Sequence, residues 1–202
     1  ECMKEYGVKN LIFSSSCVVY GQPDIYPVTE ATPIKPAESP YGETKRMCEQ
    51  IIESCCRYEG LNAISLRYFN PIGAHESGLI GELPNGVPNN LMPYITQTAA
   101  GVRDKLMVYG NDYPTKDGTP IRDYIHVVDL ARAHVIAIIR LINKEQEQSL
   151  EFFNLGTGLG YSVLDIINTF ESVTDTKLNY EITKRRAGDV PQWQEQGSTK
   201  YR

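Results

Sequence analysis

Apolar residues fall into two textures along the chain: short runs of strand length and longer stretches at helical spacing. Leu11, Ile12 and Phe13 predict a strand launched by a turn at Gly7 and ending in Ser14-Ser15-Ser16. Residues 17–40 carry Pro23, Pro27, Pro33, Pro36 and Pro40 and read as loop. Ser39 followed by Pro40 is a helix start, an N-cap hydroxyl and then a proline where its missing N–H costs nothing. The spacing predicts a helix to about Tyr58, stopped at Gly60, and then a strand over Asn62 to Phe69. Strand, helix and strand in that order require a crossover, so the first 70 residues predict a parallel sheet.

After Asn70 the texture changes. Gly, Pro and Asn dominate Pro71 to Asn90, followed by a helix over roughly Leu91 to Val102 with Pro93 in its first turn. Lys105 to Tyr109 predicts a strand, Asn111 to Pro120 a polar turn region, and Ile121 to His126 a second strand. Asp129 to Asn143 is a strongly apolar helix, and Glu151 to Leu155 another strand. Ser162, with Asp165 three residues on, caps a helix to about Thr174, and Leu178 to Ile182 closes as a strand. The alternation is that of an α/β protein.

Composition narrows the function. The 202 residues carry 20 basic and 25 acidic side chains, a net charge of −5, whereas a phosphate-backbone binder needs a basic face. No apolar run approaches the roughly 18 to 20 residues of a membrane span. The opening E-C-M-K-E-Y-G lacks the basic and apolar regions of a secretory signal. Five cysteines (Cys2, Cys17, Cys48, Cys55, Cys56) are an odd number without a C-x-x-C pair, which predicts reduced thiols in a cytoplasmic protein. His75, His126 and His134 have no metal-ligand spacing, so no metal is expected. Nucleic acid and membrane are not expected partners.

Gly156-Thr157-Gly158-Leu159-Gly160 sits between a strand and a helix, as a dinucleotide-binding loop would. Its spacing is G-x-G-x-G rather than G-x-G-x-x-G, and no acidic residue ends a following strand at the required distance. A tight turn is expected there.

Tyr41 and Lys45 are four apart near the start of a predicted helix, so both lie on one face, one turn apart. An ammonium beside a phenol favours the phenolate, which suits a base that takes a proton from a sugar or alcohol hydroxyl. Ser16 stands 25 residues before Tyr41, at the carboxyl end of the first predicted strand, the edge where open α/β sheets bind ligands. The strand end at Tyr68-Phe69-Asn70 converges on the same edge. The spacing Y-x-x-x-K by itself is common in a chain with 13 tyrosines.

Longer stretches are more specific. L-I-F-S-S-S-C-V-V-Y-G (Leu11 to Gly21), S-P-Y-G-E-T-K (Ser39 to Lys45), L-R-Y-F-N-P-I-G-A (Leu66 to Ala74), N-N-L-M-P-Y-I (Asn89 to Ile95), the run from Tyr109 to Ala131, and F-N-L-G-T-G (Phe153 to Gly158) resemble the UDP-hexose 4-epimerases. These form a branch of the extended short-chain dehydrogenase/reductase family, and the resemblance spans about residues 1–191. It implies a Rossmann-type NAD-binding sheet over 1–70 and a smaller α/β substrate-binding domain over 71–202, with segments near 121–160 returning to the first. It further implies NAD-dependent interconversion of UDP-glucose and UDP-galactose by a cytoplasmic homodimer.

By that resemblance Tyr41 is the catalytic base, Lys45 tunes it and holds the nicotinamide ribose, and Ser16 hydrogen-bonds the sugar 4-hydroxyl. Ser14 and Phe69 join Tyr41 and Lys45 around NAD. Asn70, Asn90, Leu91, the strand Met107-Val108-Tyr109, Arg122, Arg186 and Asp189 match the UDP-sugar contacts. Trp193 matches a position bordering the sugar C2 substituent, where a bulky side chain favours glucose and galactose over N-acetyl sugars. Arg122 could equally pair with Asp123 or Asp117, and Arg186 could belong to a solvated basic run with Lys184 and Arg185. His126 and Asp123 are expected to be internal hydrogen-bonding residues.

Two departures qualify the resemblance. The family's glycine-rich phosphate loop has no counterpart among these residues, so the chain is expected to be a fragment of a longer protein, with catalytic inactivity of the fragment as one alternative. After Asp189 the sequence drifts from the family pattern. Another nucleotide-sugar epimerase, dehydratase or decarboxylase is a further alternative, although dehydratases of this fold place acidic groups where Cys17 and Val18 follow Ser16. A serine hydrolase is weaker still, with no G-x-S-x-G around Ser14 to Ser16.

Overall fold

A computed structural model describes residues 1–186 and the backbone of residues 192–193. The elements run α1 (Cys2–Glu5), β1 (Asn10–Ser16), a 3-10 turn (Cys17–Tyr20), α2 (Pro40–Glu59), β2 (Asn62–Tyr68), β3 (Asn70–Ile72), α3 (Leu91–Ala99) and β4 (Leu106–Tyr109). They continue with β5 (Ile121–His126), α4 (Val127–Ile142), β6 (Leu150–Leu155), β7 (Gly160–Ser162), α5 (Val163–Thr174), β8 (Tyr180–Thr183) and β9 (Gln192–Trp193).

The first sheet is parallel in the order β1-β2-β6. Its central strand is buried on both faces, as crossover connections require. Ala63 faces α2 in a cluster with Ile52, Cys56 and Leu150, whereas Ile64 and Leu66 face α4 with Ala137, Leu141 and Phe153. The period of two along β2 thus sorts its side chains between two helices. Segments far apart in sequence meet here, because α4 and β6 pack onto the sheet begun by residues 10–68.

The remaining strands form smaller sheets. β5 pairs in parallel with β3 and β9 and antiparallel with β7, and β4 pairs in parallel with β8. Ile95, Leu106, Val108, Ile167 and Leu178 fill the core between α3, α5 and β4. Gly118, at φ +78°, closes the turn that leads into β5; a Cβ there would stand 2.1 Å from the Asn111 carbonyl oxygen.

Local chemistry explains most boundaries. Ser39 Oγ accepts from Gly42 N at 3.1 Å, and Gly60 ends α2 in the left-handed region. Ser162 and Asp165 form the full capping box of α5. Three boundaries differ from expectation. α3 stops at Ala99, ahead of Gly101 at φ +70°, and the last long strand starts at Tyr180. α4 begins at Val127 because His126 Nδ1 accepts from Val128 N and caps it. All five cysteines are free thiols. Among the described residues no helix is long and apolar enough to cross a membrane.

Candidate active site

The parallel strands bring Ser16, Tyr68 and Leu155 to one carboxyl edge. Beside it, the first turn of α2 presents Tyr41, whose side chain is 56% exposed. Lys45 Nζ donates to the Ser14 carbonyl oxygen at 2.8 Å and lies 5.6 Å from the Tyr41 ring centroid. The Tyr41 and Lys45 side chains therefore share one face, with the ammonium anchored on β1. Ser16, 8% exposed, accepts from Val18 N, a bond that uses only a lone pair of its hydroxyl. Phe69 turns its ring into a cluster with Cys17, Val19, Tyr20 and Val28, so its side chain is mainly core.

A buried ionic network sets α2 on the sheet. Glu49, two turns beyond Tyr41, accepts from Ser15 Oγ at 2.7 Å, from Ser65 Oγ at 2.9 Å and from Arg67 through Nε and Nη2 at 3.0 and 2.8 Å. Arg67 Nη1 donates to the Tyr20 hydroxyl, which donates to Asn154 Oδ1. Desolvation alone would lower the Arg67 pKa, but Glu49 and Tyr20 together outweigh that and hold it above the ordinary value. On the opposite face Tyr68 bridges Ser14 Oγ at 2.7 Å and His134 Nε2 at 2.5 Å. Burial pushes the Tyr68 phenol above its ordinary range, against the Ser14 bond, and nearby Tyr41 adds to the rise.

A cleft of about 230 Å³ opens between β3, β4, β5 and α3. Asn70, Asn90, Leu91, Met107, Val108, Tyr109, Arg122 and Arg186 all line it. The alternation along β5 turns Asp123 and Ile125 inward, leaving Arg122 and Tyr124 on the cleft. Arg186 stacks its guanidinium 4.0 Å from the Tyr109 ring centroid, whereas Arg185 pairs with Asp112. The basic run is thereby divided: one arginine serves the surface and one faces the cleft. Asp117 is engaged by Thr119 and Ser162. Burial pushes the Tyr124 phenol up to about 12, so it enters the cleft as a neutral group.

The turn at 156–160 is not a phosphate cradle. Thr157 N and Gly158 N donate to the Asp123 carboxylate at 2.8 and 2.9 Å, so the amides a phosphate would need are taken. Asp123 is the internal hydrogen-bonding residue expected. Asp189 lies outside the described residues. Trp193 is described by its backbone alone, paired with Arg122. The sequence reading missed Tyr94 and Tyr124 in the cleft and the Tyr68–His134 pair; Tyr94 stands in the N-N-L-M-P-Y-I run, but the pair left no local signal.

A parallel sheet covered by helices on both faces, with a Tyr–Lys pair at its carboxyl edge, defines a Rossmann-like α/β protein. The chain belongs to the NAD dependent epimerase/dehydratase family, whose model matches residues 1–156. It is 52% identical to the UDP-glucose 4-epimerase of Bacillus subtilis and 51% identical to that of Homo sapiens, over 191 residues in each case. Those matches cover 94% of this chain but 55% and 54% of the relatives, so the chain spans about half their length. The UDP-glucose 4-epimerase of Stenotrophomonas maltophila, solved with bound NAD and formylated UDP-arabinopyranose, superposes with a TM-score of 0.89 at 47% identity. That match covers 96% of this chain and 56% of the solved one. The enzyme of Bifidobacterium longum, solved with NAD+ and UDP, gives 0.87 at 46% identity over 96% and 57% of the two chains.

Proposed function

We propose that in a protein of its relatives' full length this chain supplies the reacting groups of an NAD-dependent UDP-glucose 4-epimerase. The observation that carries this is the exposed Tyr41 phenol beside the anchored Lys45 ammonium, at a sheet edge next to a cleft faced by two arginines.

The donor set suits a dinucleotide. Lys45 spends one ammonium proton on Ser14 and has two for ribose hydroxyls, and Ser14 adds an exposed hydroxyl. NAD bound there would supply acceptance and return of the hydrogen at the sugar C4. Tyr41 takes the proton of the 4-hydroxyl and gives it back when the other epimer forms. Ser16 orients that oxygen. Phe69 bounds the nicotinamide side through what its packed ring leaves exposed. Arg122 and Arg186 hold the diphosphate, since guanidinium groups make paired, charge-assisted bonds to phosphate oxygens. Asn70, Asn90, Leu91 and residues 107–109 enclose the nucleoside and sugar, and Asp189 accepts from ribose hydroxyls.

Residues 1–70, joined by segments within 121–160, make up a dinucleotide-binding part, and the rest a UDP-sugar part. This division is supported by α4 and β6 packing on the first sheet. Homodimer assembly and a cytoplasmic location are proposed from the resemblance. On side-chain volume, Trp193 excludes N-acetyl sugars, so Trp193→Cys raises kcat/KM for UDP-N-acetylgalactosamine relative to UDP-galactose.

The dehydratase alternative is less well supported. After Ser16 come Cys17, whose thiol burial pushes up to about 12, and Val18; neither offers a carboxylate or a usable thiolate. To test the proposal, the complete protein is incubated with NAD and UDP-galactose and the products are resolved by chromatography. An equilibrium mixture of UDP-galactose and UDP-glucose is expected; a 4-keto-6-deoxy product, or none, contradicts it.

A further inference from the structure

The hydrogen-bond chain on the α4 face of the sheet has a direction fixed by the backbone. His134 Nδ1 lies 2.8 Å from the Leu130 carbonyl oxygen. A carbonyl only accepts, so Nδ1 carries a proton. In the neutral ring Nε2 is then a bare lone pair, and it takes the proton of the Tyr68 phenol 2.5 Å away. A phenol has one proton to give. The Ser14 hydroxyl, 2.7 Å from that same oxygen, must donate to Tyr68 and is left offering lone pairs outward. Protonation of His134 reverses each link: Nε2–H donates to Tyr68, Tyr68 donates to Ser14, and Ser14 turns its O–H outward.

The chain ends where it matters for the site. Among the described residues Ser14 is exposed, two residues short of the carboxyl end of β1, and its carbonyl anchors Lys45. The titratable groups facing the chain are Tyr41 and Lys45 from α2. Other charges on elements packed against α4 are engaged elsewhere: Arg67 with Glu49, Asp123 with Thr157 and Gly158, and Arg140 with Glu151, while Arg122 lines the cleft. On α4 itself Asp129 and Arg132 pair with each other.

We propose that Tyr68 and His134 are positioning residues that set Ser14 as an acceptor for a donor group of the nicotinamide dinucleotide, a ribose hydroxyl or the carboxamide N–H. This rests on the dinucleotide-dependent reading above. Protonating His134 converts Ser14 into a donor facing a donor and loosens the hold.

The first test needs no activity. Nitrogen NMR of the complete, NAD-loaded protein with labelled histidine, assigned through His134→Gln, reports each ring's tautomer. His134 is expected as Nδ1–H. His75 and His126 are expected as Nε2–H, because their Nδ1 atoms accept from Ser77 N and Val128 N. The second test compares NAD dissociation constants at a single pH of about 8. His134→Gln, whose amide oxygen still accepts from Tyr68, is expected to bind as the unsubstituted protein does, and Tyr68→Phe about tenfold more weakly. An Nε2–H tautomer at His134, or unweakened binding in Tyr68→Phe, overturns the inference. Neither readout uses turnover, so failure of the epimerase reading, which Tyr41→Phe tests, is seen separately.

Discussion

Under the proposed function Tyr41 and Lys45 would serve proton transfer and Arg122 and Arg186 anion binding, and each role can be tested one side chain at a time. Arg186 faces the cleft over Tyr109 and takes no part in the Tyr41 arrangement. Arg186→Leu should raise KM for UDP-galactose about tenfold or more, since losing a charged hydrogen bond costs about 1.5–3 kcal/mol, while kcat changes little. Steady-state kinetics check this; an unchanged KM would return Arg186 to the solvated run. Cys17 offers a second residue-scale test. With its thiol at about 12, roughly one molecule in ten thousand carries a thiolate at about pH 8, so iodoacetamide should label the exposed Cys2 and spare Cys17. Mass spectrometry showing equal labelling would contradict that burial. At this scale the sequence was informative where chemistry is local. Tyr41 and Lys45 are neighbours on any helix, but Tyr68 and His134 meet only because β2 and α4 pack together, and 66 residues separate them.

Elements turn these residues into a site by fixing their relative placement. Glu49 ties α2 to β1 and β2 from a fully enclosed position, with Glu49 and Arg67 only 4% and 3% exposed. Removing one partner strands the other charge, so Glu49→Ala should cost about 3–5 kcal/mol in denaturant unfolding. A loss under about 1 kcal/mol would mean that water reaches Arg67. The capping box of α5 gives a pH-dependent case. Burial tends to raise the Asp117 and Asp165 carboxyls, but the Ser162 and Thr119 bonds to Asp117, and the Lys116 and Ser162 bonds to Asp165, hold both below the ordinary value. A depressed carboxyl stabilises the fold above its unfolded pKa, and that contribution is lost as pH falls through the folded value. Ser162→Ala should therefore cost about 1 kcal/mol near neutrality and less in acid. An equal cost at both pH values would contradict the linkage. Caps were legible because they are written in two or three adjacent residue types, as at Ser39-Pro40, Gly60 and Ser162 with Asp165. The strands β3 and β7 were not, because three residues carry no readable period and both depend on partners in β5.

For the molecule as a whole, the described surface is uneven. α4 buries Ala137 and Leu141 but leaves Val135, Ile136, Ile138, Ile139 and Ile142 between 44% and 65% exposed, and among the described residues β1 pairs with β2 alone. An apolar helix face of this kind favours association. The 202-residue chain on its own should sediment as larger species that Ile138→Lys with Ile142→Lys reduces; a monodisperse monomer without those changes would contradict this. The α/β class and parallel crossover were readable from the order of periodic segments. How residues 121–155 return to the first sheet was not readable from periodicity, because sheet order is set by packing between distant segments.

Under the proposed function Tyr41 is the base of a dinucleotide-dependent epimerisation. Single-turnover absorbance of the reduced nicotinamide after mixing UDP-galactose with the complete, NAD-loaded protein tests it most directly. Tyr41→Phe should lower reduction and turnover by about 10²–10⁴-fold while UDP-galactose still binds, because the proton acceptor is lost and little contact area with it. Reduction and turnover at the unsubstituted rate in Tyr41→Phe would contradict the account.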